Sequence, residues 1–191
     1  CDSIHFYQRP PGVIERVGAL PGVAVEEDLV VRAARHLAAA AAEAGVPRRP
    51  GVAIEVEKRL PIGGGVGGGS SNAATTLVAL NLLWGLDFQP DELARLGLSL
   101  GADVPVFVRG FAAWAEGVGE RLTPVDFPEP VYLLIRPEVS VGTAEVFGAA
   151  ELTRDSPVLT IRGFLMTGGR NDCEAVVRRR FPEVAEALDW L

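Results

Sequence analysis

Six of the seven residues from Gly63 to Gly69 are glycine, and Ser70 and Ser71 follow at once. Glycine admits backbone geometry closed to other residues and lets the chain come close to a ligand. After the serines, a run of helix-forming and apolar residues continues without a breaker to Trp84. A helix that starts straight after such a loop offers unpaired N–H groups and the positive end of its dipole. Together these make an anion site, most often one for phosphate. Charged groups flank it in sequence. Lys58 and Arg59 end a strand-like stretch before the loop, and Asp103 stands among Ala102, Val104, Pro105 and Phe107 beyond it. A carboxylate in that company is expected to be partly desolvated, which raises its basicity and suits a general base. The same aspartate also sits where a helix N-cap would be.

Three kinds of phosphate loop compete for the glycine run. The P-loop places a lysine and a Ser/Thr directly after its last glycine. Gly64 and Gly69 have the right spacing, but Ser70 stands where that lysine is needed, which excludes it. Gly63, Gly65 and Gly68 formally satisfy G-x-G-x-x-G, yet so dense a run matches by chance. The acid that should end a second strand is also missing, because Asp87 precedes Pro90 at a helix start. The remaining class is defined by the full string from Pro61 to Ala74, Pro-x-Gly-Gly-Gly-Val-Gly-Gly-Gly-Ser-Ser-Asn-Ala-Ala.

The elements that must position these residues can be read from periodicity and punctuation. Asp2–Tyr7 and Val13–Val17 read as strands around a Pro-Pro-Gly turn, and Glu26–Ala44 as a helix with acids in its first turn. His36 lies near that helix's apolar stripe and is read as structural. Pro47–Gly51 is a connector and Val52–Glu57 a half-exposed strand leading to Lys58. Ser70 or Ser71 is expected to cap a helix to Trp84, apolar on nearly all sides and therefore buried. Asp91–Leu98 follows as a helix, then a hairpin from Phe111–Glu116 and Glu120–Val125 about Gly117-Val118-Gly119. Val131–Ile135 reads as an apolar strand. Thr143–Ala150, part of Asp155–Met166, Asn171–Arg180 and Pro182–Leu191 read as helices. The irregular alternation favours α+β.

Composition narrows the partners. The 191 residues carry a net charge of −7, so the broad basic footprint of a nucleic-acid binder is absent. Two cysteines and two histidines suggest neither a disulfide framework nor a zinc site. No stretch approaches a membrane span, and the first residues lack signal-peptide character. A cytoplasmic protein acting on a small molecule is expected, with no nucleic acid or membrane partner and the oligomeric state left open.

The Pro61–Ala74 string resembles the nucleotide-phosphate loop of the GHMP kinases, which phosphorylate small-molecule hydroxyls with ATP. Further motifs narrow the likeness to the branch that acts on a CDP-linked methylerythritol in the non-mevalonate isoprenoid route. These are Glu57–Pro61, Leu100–Phe107, Glu116–Glu120, Leu29–Ala34 and Asn171–Glu174. The resemblance implies an α+β GHMP kinase fold of two lobes, ribosomal-protein-like at the N-terminus and ferredoxin-like at the C-terminus, both incomplete. Residues 1–126 would be the ATP-binding domain and 127–191 part of the second, with the boundary near Pro124–Pro130. It implies phosphorylation of the substrate's 2-hydroxyl with ATP and Mg²⁺. Asp103 would act as base on that hydroxyl or orient it. Pro61, Gly63, Gly64, Gly65, Val66, Gly67, Gly68, Gly69, Ser70 and Ser71 would hold the ATP phosphates, with Ser70 or Ser71 a candidate Mg²⁺ ligand. Lys58 would lie beside the adenine nucleotide, Phe147 would stack on cytosine, and Thr143 would stand in the same subsite. Arg109, Glu120 and Arg121 are read as fold or surface charges.

The family's lysine motif and Tyr-His pair do not occur between Cys1 and Leu191, and Thr167-Gly168-Gly169 stands in the wrong order to be its late glycine motif. The expectation is therefore a piece of a longer enzyme, binding nucleotide weakly and turning over little by itself. Two other readings stay open: a GHMP kinase for a different alcohol, such as homoserine or mevalonate, and a non-catalytic nucleotide-binding module.

Overall fold

The computed structural model describes residues 1–46, 50–127 and 131–191. The connector expected at Pro47–Gly51 and the boundary expected near Pro124–Pro130 fall partly outside the described residues. The chain divides into two compact units, Cys1–Pro128 and Glu129–Leu191.

The first unit runs β1 (Ser3–Gln8), β2 (Ile14–Val17), α1 (Leu29–Glu43), β3 (Val52–Glu57), α2 (Gly68–Trp84), α3 (Pro90–Leu98), α4 (Val104–Arg109), β4 (Ala113–Glu116) and β5 (Arg121–Pro124). Although β1 and β2 are joined by a short turn, they do not pair. β3 lies between them, antiparallel to β1 and parallel to β2. Register sets Ile4 opposite Val56 and Phe6 opposite Ile54, and with Val52 and Ile14 these side chains pack against one core. Helices α1 and α2 complete it with Val30, Val31, Leu37, Leu77 and Leu80. Ala33, Ala34, Ala73 and Ala74, also in the core, are small enough for the two helices to approach closely. Each fully buried leucine contributes about 1.5–3 kcal/mol relative to exposure.

Helix α1 starts later than its acids suggest. Asp28 is its N-cap rather than a first-turn residue, accepting a 3.1 Å bond from the Val30 N–H. Its other oxygen accepts from Arg16 Nη1 at 3.0 Å, and both side chains are under a tenth exposed. Removing one partner of such a pair leaves a buried charge uncompensated, at about 3–5 kcal/mol. Asp28→Ala is therefore expected to destabilise the unit by about 3 kcal/mol or more, read as a lower urea midpoint with an unchanged m-value. His36 plays the structural part expected of it. Ser99 Oγ donates to the Leu96 carbonyl at 2.7 Å, so His36 Nδ1–H donates to Ser99 Oγ at 3.0 Å and ties α1 to the end of α3.

Helix α2 is not buried on all sides: Val78, Leu82 and Leu83 are 44%, 82% and 63% exposed, because α1, α3 and α4 pack on it and leave that flank open among the described residues of this unit. Nor is Ser70 or Ser71 its cap. The helix begins at Gly68 behind Gly67, which has φ +67° and makes no side-chain bond.

In the second unit, α5 (Thr143–Phe147), α6 (Ile161–Thr167), α7 (Glu174–Arg180) and α8 (Pro182–Trp190) follow one another, and no strand occurs among the described residues. Val131–Ile135 is not the strand its composition predicts. Val131 is fully exposed and Leu134 is 75% exposed. An apolar stretch becomes a strand only when another strand completes its ladder, and none of the unit's described residues does so. The small core of this unit is Val146, Ala149, Leu152 and Val176, with Cys173 and Phe181 against it. Arg154 satisfies the end of α5, donating to the carbonyls of Phe147, Ala149 and Leu152 at 2.6–3.1 Å. Asn171 Oδ1 accepts from the Cys173 N–H at 3.0 Å and so shapes the turn into α7.

Candidate nucleotide site

The site is built around the start of α2. The Ser71 N–H makes the first helical bond, 2.8 Å to the Gly67 carbonyl. The amides of Gly68, Gly69 and Ser70 therefore have no helical acceptor and point out of the helix at its positive end. The chain reaches this point through Gly63, Gly65 and Gly67, all with φ near +70°. At Gly67 two constraints coincide. A Cβ there would be strained by φ and would lie 2.8 Å from the Phe107 ring.

That ring belongs to α4, whose N-cap position is Asp103. Ser70 Oγ lies 3.8 Å from where a Cβ on Gly101 would stand, so the first turn of α2 also faces the turn that carries Asp103. The turn of the β4–β5 hairpin closes from another side, where a Cβ on Gly119 would meet the Ala102 carbonyl at 2.6 Å. The glycine loop, Ser70 and the Asp103 turn are thus gathered at one end of α2. Asp103 makes no side-chain capping bond, so the alternative reading of it as a working N-cap fails although its position is right. It is exposed, while Val104 and Pro105 turn into the core. The desolvation expected from its sequence neighbours is therefore not supplied, because an apolar neighbour in sequence shields a carboxylate only if both face the same way.

Lys58 reaches the start of α2, with Nζ 3.6 Å from the position of a Cβ on Gly68. It is bound to Asp2, whose side chain is completely enclosed. Asp2 Oδ1 accepts from the Arg59 and Leu60 N–H groups, each at 2.8 Å, and Oδ2 accepts from Asn72 Nδ2 at 2.8 Å as well as from Lys58. Burial works against the charged carboxylate, but Lys58 and the three N–H donors outweigh it and hold Asp2 well below the usual carboxylate range. The native state thus binds this proton more weakly than the unfolded chain does. Its stabilisation is whole above the usual carboxylate range and is lost as pH falls below it. A urea midpoint followed against pH should show that acid loss in the wild type and a smaller one in Asp2→Asn.

Neither Asp2 nor Asn72 was marked as important by sequence. Asn72 sits inside the glycine-loop string without a signal of its own, and Asp2 lies 56 residues from Lys58. Pro61 packs beneath the loop, its Cγ 2.7 Å from where a Gly64 Cβ would be, whereas Ile62 and Val66 are exposed. Thr143 and Phe147 lie on α5 of the second unit, both exposed, Phe147 at 62%. Arg109 pairs with Asp91 at 2.9 Å, and Glu120 accepts from the Val118 N–H within its own turn. A cleft of about 510 Å³ opens at the other end of α2, against Phe6, Tyr7, Leu80, Leu83 and Trp84, and holds none of the residues named from sequence.

Among the described residues no group of three or more His, Cys, Asp or Glu could hold a metal, and no helix is long and apolar enough to cross a membrane. A Mg²⁺ ion in phosphoryl transfer takes only one or two protein oxygens and leaves the rest to phosphate and water. The hydroxyl oxygens of Ser70 and Ser71, directly after the loop, supply that number.

Residues 28–111 match the GHMP kinases N terminal domain. The chain is 56% identical over its whole length to the 4-diphosphocytidyl-2-C-methyl-D-erythritol kinase of Nitrosococcus oceani, covering 66% of that protein. It is 57% identical to the kinase of the same name from Halorhodospira halophila, covering 65% of it. The chain thus spans just under two thirds of these curated relatives. A crystal structure of 4-(cytidine 5'-diphospho)-2C-methyl-D-erythritol kinase superimposes with a TM-score of 0.72 at 35% identity, over 97% of this chain and 67% of that one.

Proposed function

The chain belongs to the GHMP kinases, on the branch of the 4-diphosphocytidyl-2-C-methyl-D-erythritol kinases, and from that premise we propose that it transfers the γ-phosphoryl of ATP to the 2-hydroxyl of this CDP-linked alcohol. One observation carries the reading at the level of atoms. Three outward amides at Gly68, Gly69 and Ser70 stand behind a glycine loop and beside the turn of an uncapped, exposed aspartate. Phosphoryl transfer asks a protein mainly for positioning and for neutralisation of charge. The amides and Gly63–Gly69 hold the phosphates, and Lys58 lies on the nucleotide side. Asp103 orients the attacking hydroxyl and takes its proton as the new O–P bond forms and ADP leaves. Ser70 or Ser71 would hold Mg²⁺, and the ion would supply neutralisation of phosphate charge when bound. Thr143 and Phe147 take the cytidine end, the ring of Phe147 offering a stacking face. In this reading residues 1–126 form the ATP-binding domain and 127–191 part of the second, and the enzyme works in the cytoplasm.

The experiment joins this chain to the remaining third of the Nitrosococcus oceani relative and offers ATP with three alcohols. ADP release with the CDP-linked methylerythritol, and not with homoserine or mevalonate, is expected. Turnover of homoserine or mevalonate alone would move the protein to another branch. Affinity for NAD(H) with none for ATP would remove it from kinase chemistry.

A further inference from the structure

We propose that Asp2 is a positioning residue of the glycine loop, pinning both ends of the loop to β1 so that the amides at the start of α2 are presented together to the ATP phosphates. The proposal rests on the ATP-binding reading above. Four donors converge on this one enclosed carboxylate, two on each oxygen, which saturates it. Three of them, from Lys58, Arg59 and Leu60, are the last residues before the loop. The fourth, Asn72, lies on the buried side of α2 just after it. The chain between these anchors is the segment that has to close around phosphate.

Asp2 also solves a local charge problem. Lys58 Nζ stands beside Gly68, at the positive end of α2, where a bare cation is unfavourable. The Asp2 carboxylate offsets it in place. Holding the loop ends fixed before the ligand arrives lowers the ordering cost that binding must meet. A purely architectural aspartate would weaken the fold and affect every ligand alike. A positioning aspartate discriminates between ligands that use the loop and ligands that do not.

The test uses the chain as it is, in wild-type, Asp2→Asn and Asn72→Ala forms. Affinities for Mg·ATP and for adenosine, which has no phosphate, are measured alongside amide order parameters from nitrogen relaxation. Asp2→Asn should weaken ATP by about tenfold, the loss of one strong charge-assisted contact, and adenosine by less than about twofold. Order parameters at Gly63–Gly67 should fall while those of Val31–Leu37 stay unchanged. Asn72→Ala, which removes one donor of four, should show the same split at about threefold. It decides the matter if Asp2→Asn does not fold. Equal losses for ATP and adenosine, or loop order parameters like those of the wild type, would overturn the role of Asp2. If the wild type binds no ATP either alone or joined to the remaining third of the Nitrosococcus oceani relative, the kinase reading fails, and the order parameters alone then decide whether Asp2 orders the loop.

Discussion

Asp103→Asn, made in this chain joined to the remaining third of its Nitrosococcus oceani relative, should lower turnover of the CDP-linked alcohol by about 10²–10⁴-fold, the usual worth of a positioned base. ATP affinity should stay within about twofold, because the amides and the glycine loop that hold the phosphates are untouched. The exposed carboxylate makes no capping bond, and the core below it is formed by Val104 and Pro105. Its loss should therefore leave the thermal midpoint close to that of the parent. A variant that keeps turnover within a few-fold would remove Asp103 from the chemistry and return the protein to the class of nucleotide-binding modules.

Gly67→Val should be the most damaging single change to nucleotide binding. A β-branched residue at φ +67° costs about 1–2 kcal/mol in backbone strain, and its side chain also meets the Phe107 ring at 2.8 Å. Either the loop or α4 has to move, and both carry the site. We expect ATP affinity to fall by roughly thirtyfold, equivalent to about 2 kcal/mol. Gly45→Val is the control. It has φ +77° but nothing within 4 Å of an added Cβ, so it bears the strain without reaching the loop. It should lower stability and leave ATP affinity unchanged. Equal effects on affinity from both variants would mean that lost fold stability, and not the meeting of Gly67 with Phe107, sets the fall in affinity.

The glycine loop was legible because its signal is local: dense glycine, then serine, then a long helix. The bounds of the strand Val52–Glu57 were readable to the residue from its alternation of apolar and acidic side chains, but not its burial on both faces at Val52, Ala53 and Ile54, which follows from its central place between β1 and β2. Elements that depend on distant partners were not. Val131–Ile135 has strand composition but nothing among the described residues to pair with, and α2 has apolar residues on a flank that none of its unit's described residues covers. Capping was misassigned at α2 because a glycine in the left-handed region begins the helix without any side chain, and residue type cannot announce that. The solvation of Asp103 was misjudged because neighbours in sequence point to opposite sides of a helix start. Asp2 could not have been found by spacing at all. Its four partners are assembled from residues 58–72, and only the fold brings them to the second residue of the chain.

On the proposed function, ATP phosphates bind at the start of α2. Titrating nitrogen-labelled protein with Mg·ATP and following the amide signals tests it most directly. The largest shifts should fall on Gly68, Gly69 and Ser70 and extend through Gly63–Gly67, and adenosine should not reproduce them. Shifts confined to the cleft at the other end of α2, around Tyr7, Leu83 and Trp84, would contradict it.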